Sequence, residues 1–411
     1  MQKKFTGYQV FVVALLAFLQ FSVVLDFMIL SPLGAQLLHE LNITTGQFGL
    51  VVSAYAFSAG ISGLLTAGFA DRFDRKKLLL FFYAGFLLGT LCCGLAPTYD
   101  TLLAARIVTG LFGGVIASIS FAIVADLFPM QMRGRVMGVV QTSFAAAQVL
   151  GIPVGLVLSN HWGWHMPFLA ISGLGTLVGI VIWYKLQPVV EHLKHQNHHH
   201  PLKHLWITAS KPRHLVGFAA TILLSTGGFM LMPFGSAFSV YNLGIPLEKL
   251  PLVYVSTGLC SILAGPLLGR LGDKIGKFPV FVGGTLCCIG MVLWYTRLGI
   301  TPLWVVIAIN ILLFITINAR MVSASALASG VPELRDRGAY MSINSSIQQL
   351  SGGVAAWLAG TIVFQATPHS PLENYPLLGM VVATAMAITL PLMWNVDRIV
   401  KENPLQPVPG R

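Results

Sequence analysis

The pattern that decides the fold occurs twice in the chain, as Ala67-Gly-Phe-Ala-Asp71-Arg72-Phe-Asp74-Arg75-Lys76 and as Gly269-Arg-Leu-Gly-Asp273-Lys274-Ile-Gly276-Lys277. The two copies lie 202 residues apart. A second pair of matching segments, Arg133-Gly-Arg-Val-Met137 and Arg337-Gly-Ala-Tyr-Met341, is separated by 204 residues. Two nearly equal offsets indicate that the chain consists of two homologous halves.

The composition of the whole chain is that of a membrane protein. Of the 411 residues, 55% are hydrophobic and 9% are charged. A soluble domain has about 25% charged residues, so these values exclude an ordinary soluble enzyme, a disordered chain and a secreted disulfide scaffold. The cysteines include the adjacent pairs Cys92-Cys93 and Cys287-Cys288 and show no disulfide or zinc-ligand spacing. We predict no metal site.

A bilayer-spanning helix needs about 20 predominantly apolar residues, and such stretches recur along the sequence. We predict an all-α membrane protein with 12 transmembrane helices in two pseudo-symmetric six-helix bundles. The approximate spans are 8–37, 45–70, 77–96, 99–127, 135–158, 164–187, 213–241, 248–270, 277–296, 302–329, 338–365 and 372–396. The predicted parts of the chain are an N-terminal bundle at 1–187, a His-rich cytoplasmic linker at 188–212, a C-terminal bundle at 213–397 and a cytoplasmic tail at 398–411.

The distribution of basic residues predicts the orientation. Of the 25 Lys and Arg residues, only Lys249 and Arg297 fall in loops on the side opposite the termini, and Arg106 and Arg320 lie within spans. The positive-inside rule therefore predicts that both termini are cytoplasmic. We expect the protein itself to lie in the cytoplasmic (inner) membrane. Six spans return each half to its starting side, so the halves are parallel repeats. In transporters of that design the substrate site lies near the midplane between the halves.

Motifs in these positions resemble those of the major facilitator superfamily over essentially the full chain. The loop signature of that family is Gly-x-Leu-Ala-Asp-Arg-x-Gly-Arg-Lys. The first copy matches it at Asp71, Arg72, Arg75 and Lys76, with Ala67 and Asp74 in place of its two glycines. The second copy matches at Gly269, Gly272, Asp273, Lys274, Gly276 and Lys277. The helix 4 signature of the family, an Arg followed by spaced glycines, is matched by Arg106, Gly110, Gly113 and Gly114.

Within that superfamily, span 5 is similar to the drug and sugar efflux permeases (12-helix drug:proton antiporters). It contains Gly151-Ile-Pro153-Val-Gly155 and then Gly163-Trp164, which match the Gly-x-Pro-x-Gly and Gly-Trp pattern but not the full Gly-Pro-x-x-Gly-Gly antiporter motif. Gly151, Pro153 and Gly155 should also bend the helix, because proline removes a backbone donor. The resemblance implies export of drugs in exchange for protons.

Asp26 is the one carboxylate placed deep in a predicted span. A lone carboxylate in hydrocarbon is costly, so it normally faces a cavity or a partner and marks a substrate or proton path. Counting about 1.5 Å per residue places Arg106 at a similar depth. We hypothesise that Asp26 exchanges a proton as Arg106 or a cationic substrate approaches it. The alternative is a permanent pair of Asp26 and Arg106 that only joins span 1 to span 4.

Polar and aromatic side chains in other spans are the predicted substrate contacts. They suit a neutral, amphipathic or cationic molecule, although Arg106 and Arg320 could together bind an anion. Gln141, Gln148 and Gly155 share one helix face at seven-residue spacing, where they contact either substrate or a neighbouring helix. The predicted contacts are Asp26, Tyr55, Arg106, Gln141, Gln148, Met230, Phe234, Asn310, Asn344 and Gln348, with Asn318, Arg320 and Gln349 as further candidates.

The charged loops are the predicted conformational gate, which comprises Asp71, Arg72, Arg75, Asp126, Asp273 and Lys274. The family resemblance implies that Arg72 or Arg75 pairs with Asp126 on the cytoplasmic face in the outward-open state. An exposed pair contributes about 0–1 kcal/mol, which is sufficient to bias a two-state element. The alternative is a basic loop that only sets topology, and both interpretations can hold together.

We therefore expect a secondary active transporter that exports a small organic molecule in exchange for protons. The main alternative is a symporter or uniporter that imports a metabolite, and a remote one is a membrane receptor or enzyme. Enzyme activity would need a nucleophile, paired carboxylates or metal ligands converging at depth. The expected partners are the substrate, protons and the lipid bilayer. We expect no cofactor beyond the proton gradient, no nucleic acid and a monomer.

Overall fold

The computed structural model describes residues 5–66, 73–190, 193, 201–333, 336–367 and 369–402. In these ranges the regular structure is helical, apart from an isolated backbone bridge between Phe364 and Glu373. The α-helices are α1 (Gly7–Ile29), α2 (Gly34–Glu40), α3 (Thr45–Thr66), α4 (Arg75–Gly94), α5 (Tyr99–Leu127), α6 (Met130–Ala146), α7 (Ile152–Trp162), α8 (Met166–Lys185), α9 (Pro201–Ala209), α10 (Pro212–Phe229), α11 (Gly235–Tyr241), α12 (Leu250–Ile275), α13 (Lys277–Tyr295), α14 (Leu303–Ala328), α15 (Arg337–Ile362) and α16 (Tyr375–Lys401).

Helices long enough to cross a bilayer confirm the predicted fold class. Eleven helical segments of the described chain combine that length with sufficient hydropathy. Helix α15, with 26 residues, is also long enough to cross a bilayer, but its sequence is more polar and includes Asn344 and Gln348. It packs along α3 of the other half.

Two predicted single helices are interrupted by proline in the structure. Span 8–37 divides into α1 and α2 around Pro32, and span 213–241 divides into α10 and α11 around Pro233. Proline lacks the backbone N–H that would continue the helical ladder. The short helices α2 and α11 contact each other across the two halves. We call the ends of the bundle on this side, opposite to Phe5 and Glu402, the distal face.

Helices α3 and α15 join the two halves by close backbone packing. A Cβ atom at Gly49 would lie 2.9 Å from the carbonyl oxygen of Ala356, and one at Gly360 would lie 2.8 Å from that of Thr45. Only glycine allows this approach, because a methyl group at either position would overlap backbone. One buried apolar cluster extends across both halves on the distal side, and each half has a second cluster nearer the termini.

Asp74 begins α4, at the position where the family signature has glycine. Its backbone has φ −55°, which is not the left-handed conformation that favours glycine. Its carboxylate accepts hydrogen bonds from the N–H groups of Lys76, at 2.9 Å, and Val189, at 3.0 Å. The side chain therefore caps α4 and fixes the first residues of the linker to the N-terminal half.

Candidate functional site

Asp26 and Arg106 form an ion pair in the interior of the N-terminal half. Arg106 Nη1 donates to Asp26 Oδ2 at 2.8 Å, and the Thr90 hydroxyl donates to Asp26 Oδ1 at 3.1 Å. The guanidinium also lies 4.6 Å from the centre of the Tyr55 ring. Asp26 and Arg106 have no exposed surface. The structure thus brings together three predicted site residues from α1, α3 and α5.

The glycines that follow Arg106 allow α5 to pack closely against α3. A Cβ atom at Gly114 would lie 2.6 Å from Ala59 Cα, and one at Gly113 would lie 2.9 Å from the Tyr55 hydroxyl. Helix α5 therefore lies directly against α3 at these glycines. The small residues pack the helices, and Arg106 supplies the charge above them.

Asn310 lies in the C-terminal half at the place that Arg106 has in the N-terminal half. Each residue is seven positions after the first residue of its helix, α5 or α14. Asn310 is buried and donates to the carbonyl oxygen of Val306 at 2.9 Å. Helices α10, α14 and α15 contain no Asp or Glu. These three helices therefore have no carboxylate to match Asp26, and the buried Asp336 and Asp397 of the second half lie at helix ends on the side of the termini.

Arg320 lies closer to the termini than Asn310 and far from Arg106 along the helix direction. It is 2% exposed, and its Nε donates to Thr285 Oγ1 at 3.1 Å. Its Nη2 has no hydrogen-bond partner among the described residues. Arg106 Nη1 is bound to Asp26, and Arg106 Nε has no hydrogen-bond partner among the described residues. A joint anion site of the two arginines stays a prediction.

Asn344 and Gln348 line a cleft between α10, α14, α15 and α16. The cleft is partly open and has a cavity volume of about 40 Å³. Thr221 Oγ1 donates to Asn344 Oδ1 at 2.7 Å on one wall, and Met321 and Met393 lie on others. The lining combines hydroxyl, amide and thioether groups without a charge. Asn318, by contrast, donates to Ser261 Oγ at 3.2 Å and links α14 to α12.

Phe27 and Phe229 form an aromatic contact between the halves that the sequence analysis missed. Their ring centroids are 6.0 Å apart, and Phe27 also lies 5.2 Å from the Tyr55 ring. Both phenylalanines are half-buried. Phe27 directly follows Asp26, so the same turn of α1 carries the buried carboxylate and one side of this contact.

Predicted span 5 (135–158) contains a π turn at Ala147–Gly151, between α6 and α7. The turn lies just before Pro153 and changes the register of the helix. Gln141 is exposed and Gln148 half-buried, whereas a Cβ at Gly155 would meet Ile29 at 2.6 Å. Gly155 therefore packs against α1. The sequence analysis expected Gly155 on the same helix face as Gln141 and Gln148, from their seven-residue spacing. The π turn before Gly155 changes this register, so the spacing does not place Gly155 on that face.

Met230 and Phe234 are buried in the distal contact between the halves. Phe234 is 0% exposed, and its ring lies 5.8 Å from that of Phe48 in the other half. In this conformation neither of these two predicted substrate contacts faces an open cavity. They close the distal end instead.

Five hydrogen bonds connect the halves within the described ranges, and all of them lie at the distal face. The donors are Ser31, Thr45, Asn160, Ser236 and Tyr241, and the acceptors are the carbonyl oxygens of Met232, Val363, Leu247, Ser31 and Ala35, respectively. Gln36 supports this network by donating to Asn160 Oδ1 at 2.7 Å.

The predicted gate residues are only partly brought together. Arg75 Nε lies 3.3 Å from Asp126 Oδ2, which joins α4 to α5 within the N-terminal half. Asp71 and Arg72 lie outside the described residues. Asp273 lies 3.8 Å from Lys277, and both are exposed, while Lys274 is exposed on the same helix end. The second copy of the loop pattern therefore forms a local pair on the surface.

Comparison with known sequences places the chain among transporters. The Major Facilitator Superfamily profile matches residues 16–356 and 217–405. The uncharacterized MFS-type transporter YceJ of Bacillus subtilis (strain 168) is 26% identical over 264 residues, which cover 64% of this chain and 66% of that protein. The uncharacterized MFS-type transporter YbcL of the same strain is 24% identical over 349 residues, or 85% of this chain and 88% of that protein.

Solved structures share the fold at low sequence identity. A bacterial homolog of the human lysosomal transporter Spinster, in an inward-facing and unoccupied conformation, has a TM-score of 0.73 at 16% identity and 97% coverage of both chains. A mutant of the nucleoside transporter NupG has a TM-score of 0.75 at 13% identity, covering 94% of this chain and 99% of that one.

Proposed function

Because the chain belongs to the Major Facilitator Superfamily, we propose that this transporter exports a small organic molecule in exchange for protons by alternating access. The observation that carries the proposal is the ion pair of Asp26 and Arg106. It is the only carboxylate and guanidinium pair that lies deep between the spanning helices of the described chain. Intramembrane ionisable pairs of this kind mark proton or substrate paths.

A proton on Asp26 would remove one charge of the pair and weaken its hydrogen bond with Arg106. The Thr90 hydroxyl would still hold the carboxyl group, whereas Arg106 would retain its contact with the Tyr55 ring. The change would loosen α1 from α5. Because α1 leads through Pro32 into α2 at the distal contact, a shift of α1 can alter the contact between the halves.

The distal hydrogen bonds support an assignment of this conformation as open toward the side of the termini. From the distribution of basic residues we infer that this side faces the cytoplasm and that the protein lies in the cytoplasmic (inner) membrane. The substrate would then enter from the cytoplasm, pass the aromatic contact of Phe27 and Phe229, and leave at the distal face after the halves rock.

The walls of the cleft and of the aromatic contact support an uncharged or amphipathic substrate. Asn344, Gln348 and Thr221 offer amide and hydroxyl groups, and Phe27 and Phe229 offer ring surfaces. The carboxylate of Asp26 is already bound by Arg106. A cationic substrate would therefore compete with Arg106 for Asp26, which is a second way to couple substrate and proton.

The test is flux in liposomes that contain the purified protein, under an imposed pH gradient. A panel of lipophilic cations, sugars and nucleosides should yield at least one compound whose flux follows the gradient. Asp26→Asn should abolish that dependence, and Glu402→Gln, an exposed carboxylate at the end of α16, should preserve it. Gradient-driven flux that persists in Asp26→Asn contradicts the proposed coupling.

A second candidate function is a uniporter or symporter that imports a metabolite. It is favoured by the close contact of Asp26 and Arg106 in this conformation, since a permanent ion pair would only join α1 to α5. Flux of equal rate with and without the pH gradient, unaffected by Asp26→Asn, would support this function over export.

A further inference from the structure

Two histidines from opposite halves contact each other on the distal face. The ring centroids of His39 and His369 are 4.5 Å apart, with 42° between the ring planes. His39 lies near the end of α2, and His369 lies in the segment between α15 and α16. Both side chains are exposed. No predicted site included this pair, because the two residues are 330 positions apart in sequence.

Each imidazole is carried by a backbone that is fixed by hydrogen bonds. Tyr241 donates to the carbonyl oxygen of Ala35 at 2.9 Å and holds α2 against the C-terminal half. Asn242 holds the segment after His369 through two bonds with the backbone of Leu372, at 2.8 and 2.9 Å. Thr45 donates to the carbonyl oxygen of Val363 at 2.6 Å, which ties the start of that segment to α3.

We propose that His39 and His369 form a binding site for a divalent transition-metal ion such as Zn²⁺, which holds the two halves together at the distal face. Zinc binds imidazole nitrogen at about 2.0–2.1 Å, so two nitrogens on one ion lie no more than about 4.2 Å apart. Rings in contact at this spacing reach that geometry by rotation of their side chains. Water completes the coordination, since both rings are exposed.

The ion binds to this pair only while the distal ends are in contact. It therefore favours the conformation that is closed at the distal face, because a ligand shifts an equilibrium toward the state that it binds better. Glu40 follows His39 directly, and Glu373 lies four residues after His369. Their negative charges on the same rim attract a cation.

The experiment measures zinc binding by the full-length chain in detergent, by calorimetry with ZnCl₂ alone. The reference protein carries Asn at His192, His195, His198, His199 and His200 of the linker and Ser at the exposed Cys92 and Cys287, so that these groups do not bind zinc. We expect one site in the reference protein. His39→Asn and His369→Asn should each weaken it at least tenfold, and the double variant should lose no more than either single one.

His161→Asn, on the same face but within the N-terminal half, is the matched control and should bind zinc as the reference does. ZnCl₂ should also raise the melting temperature of the reference protein and of this control, but not of the two other variants. Absence of binding in the reference, or binding that survives both substitutions, overturns the proposal. The measurement requires no transport, so its outcome is independent of the proposed export and proton coupling.

Discussion

Arg106 Nη1 lies 2.8 Å from Asp26 Oδ2, and neither side chain has more than 1% of its surface exposed. Removal of one partner would leave the other charge buried and uncompensated. We expect Asp26→Asn to reduce the free energy of unfolding by about 3–5 kcal/mol. The double variant Asp26→Asn with Arg106→Gln should recover much of this loss. Thermal unfolding in detergent measures both, and a single variant as stable as the wild type would contradict the prediction.

Substitution of Gly114 should disrupt the contact of α5 with α3. A Cβ atom there would lie 2.6 Å from Ala59 Cα and 2.7 Å from the Ala59 carbonyl oxygen, so backbone would have to move. We expect Gly114→Ala to destabilise the protein by about 1–3 kcal/mol. Gly173→Ala in α8 is the control, since no atom lies within 4 Å of its added Cβ. Gly114→Ala should lower the melting temperature relative to wild type, and Gly173→Ala should raise it.

Loss of the Tyr241 hydroxyl should favour opening of the distal face. The bond from Tyr241 to the carbonyl oxygen of Ala35 is 2.9 Å long and joins the halves. Removing it costs about 0.5–1.5 kcal/mol, which corresponds to a roughly two- to tenfold change in the ratio of closed to open molecules. In a variant without native cysteines, maleimide should label a cysteine at the buried position Ala237 faster after Tyr241→Phe.

The control for this experiment is Tyr184→Phe, whose ring is 81% exposed on the outer surface. Its hydroxyl should not change the labelling rate at position 237. Equal rates in Tyr241→Phe and wild type would show that this bond does not hold the distal face closed.

Asp74 should contribute more to the stability of the protein than the glycine that the family signature has at this position. Asp74→Ala removes the cap of α4 and the acceptor for the Val189 N–H. We expect a loss of about 1 kcal/mol in the free energy of unfolding, which is typical of an N-cap. Asp74→Asn keeps an acceptor oxygen and should be close to wild type. If Asn and Ala behave alike, the carboxylate oxygen is not the stabilising group.

The depth of Asp26 relative to Arg106 could be predicted from the sequence, because the rise per residue is constant in an uninterrupted helix. The same counting is wrong wherever the helix is irregular. The prolines at 32 and 233 divide two spans, and the π turn at Ala147–Gly151 moves Gly155 away from the face expected for it. These irregularities depend on packing against neighbouring helices, which periodicity does not contain.

The aromatic contact of Phe27 and Phe229 was missed because phenylalanine is common in all membrane spans. The repeat itself held the signal, since Phe229 follows Phe27 by 202 residues, which is the offset of the two loop patterns. Equivalent positions in two parallel halves meet near the axis that relates them. The repeat offset does not predict the positions of Met230 and Phe234, because their burial depends on the conformation of the distal face.

All five hydrogen bonds that join the halves within the described residues end on a backbone carbonyl oxygen. Every residue has this acceptor, and its second lone pair is available even inside a helix. A mutation can therefore delete such a bond only by changing the donor, while the facing residue is free to vary. Over evolutionary time, either half can acquire a new lining for a new substrate without losing the contacts by which it closes against the other.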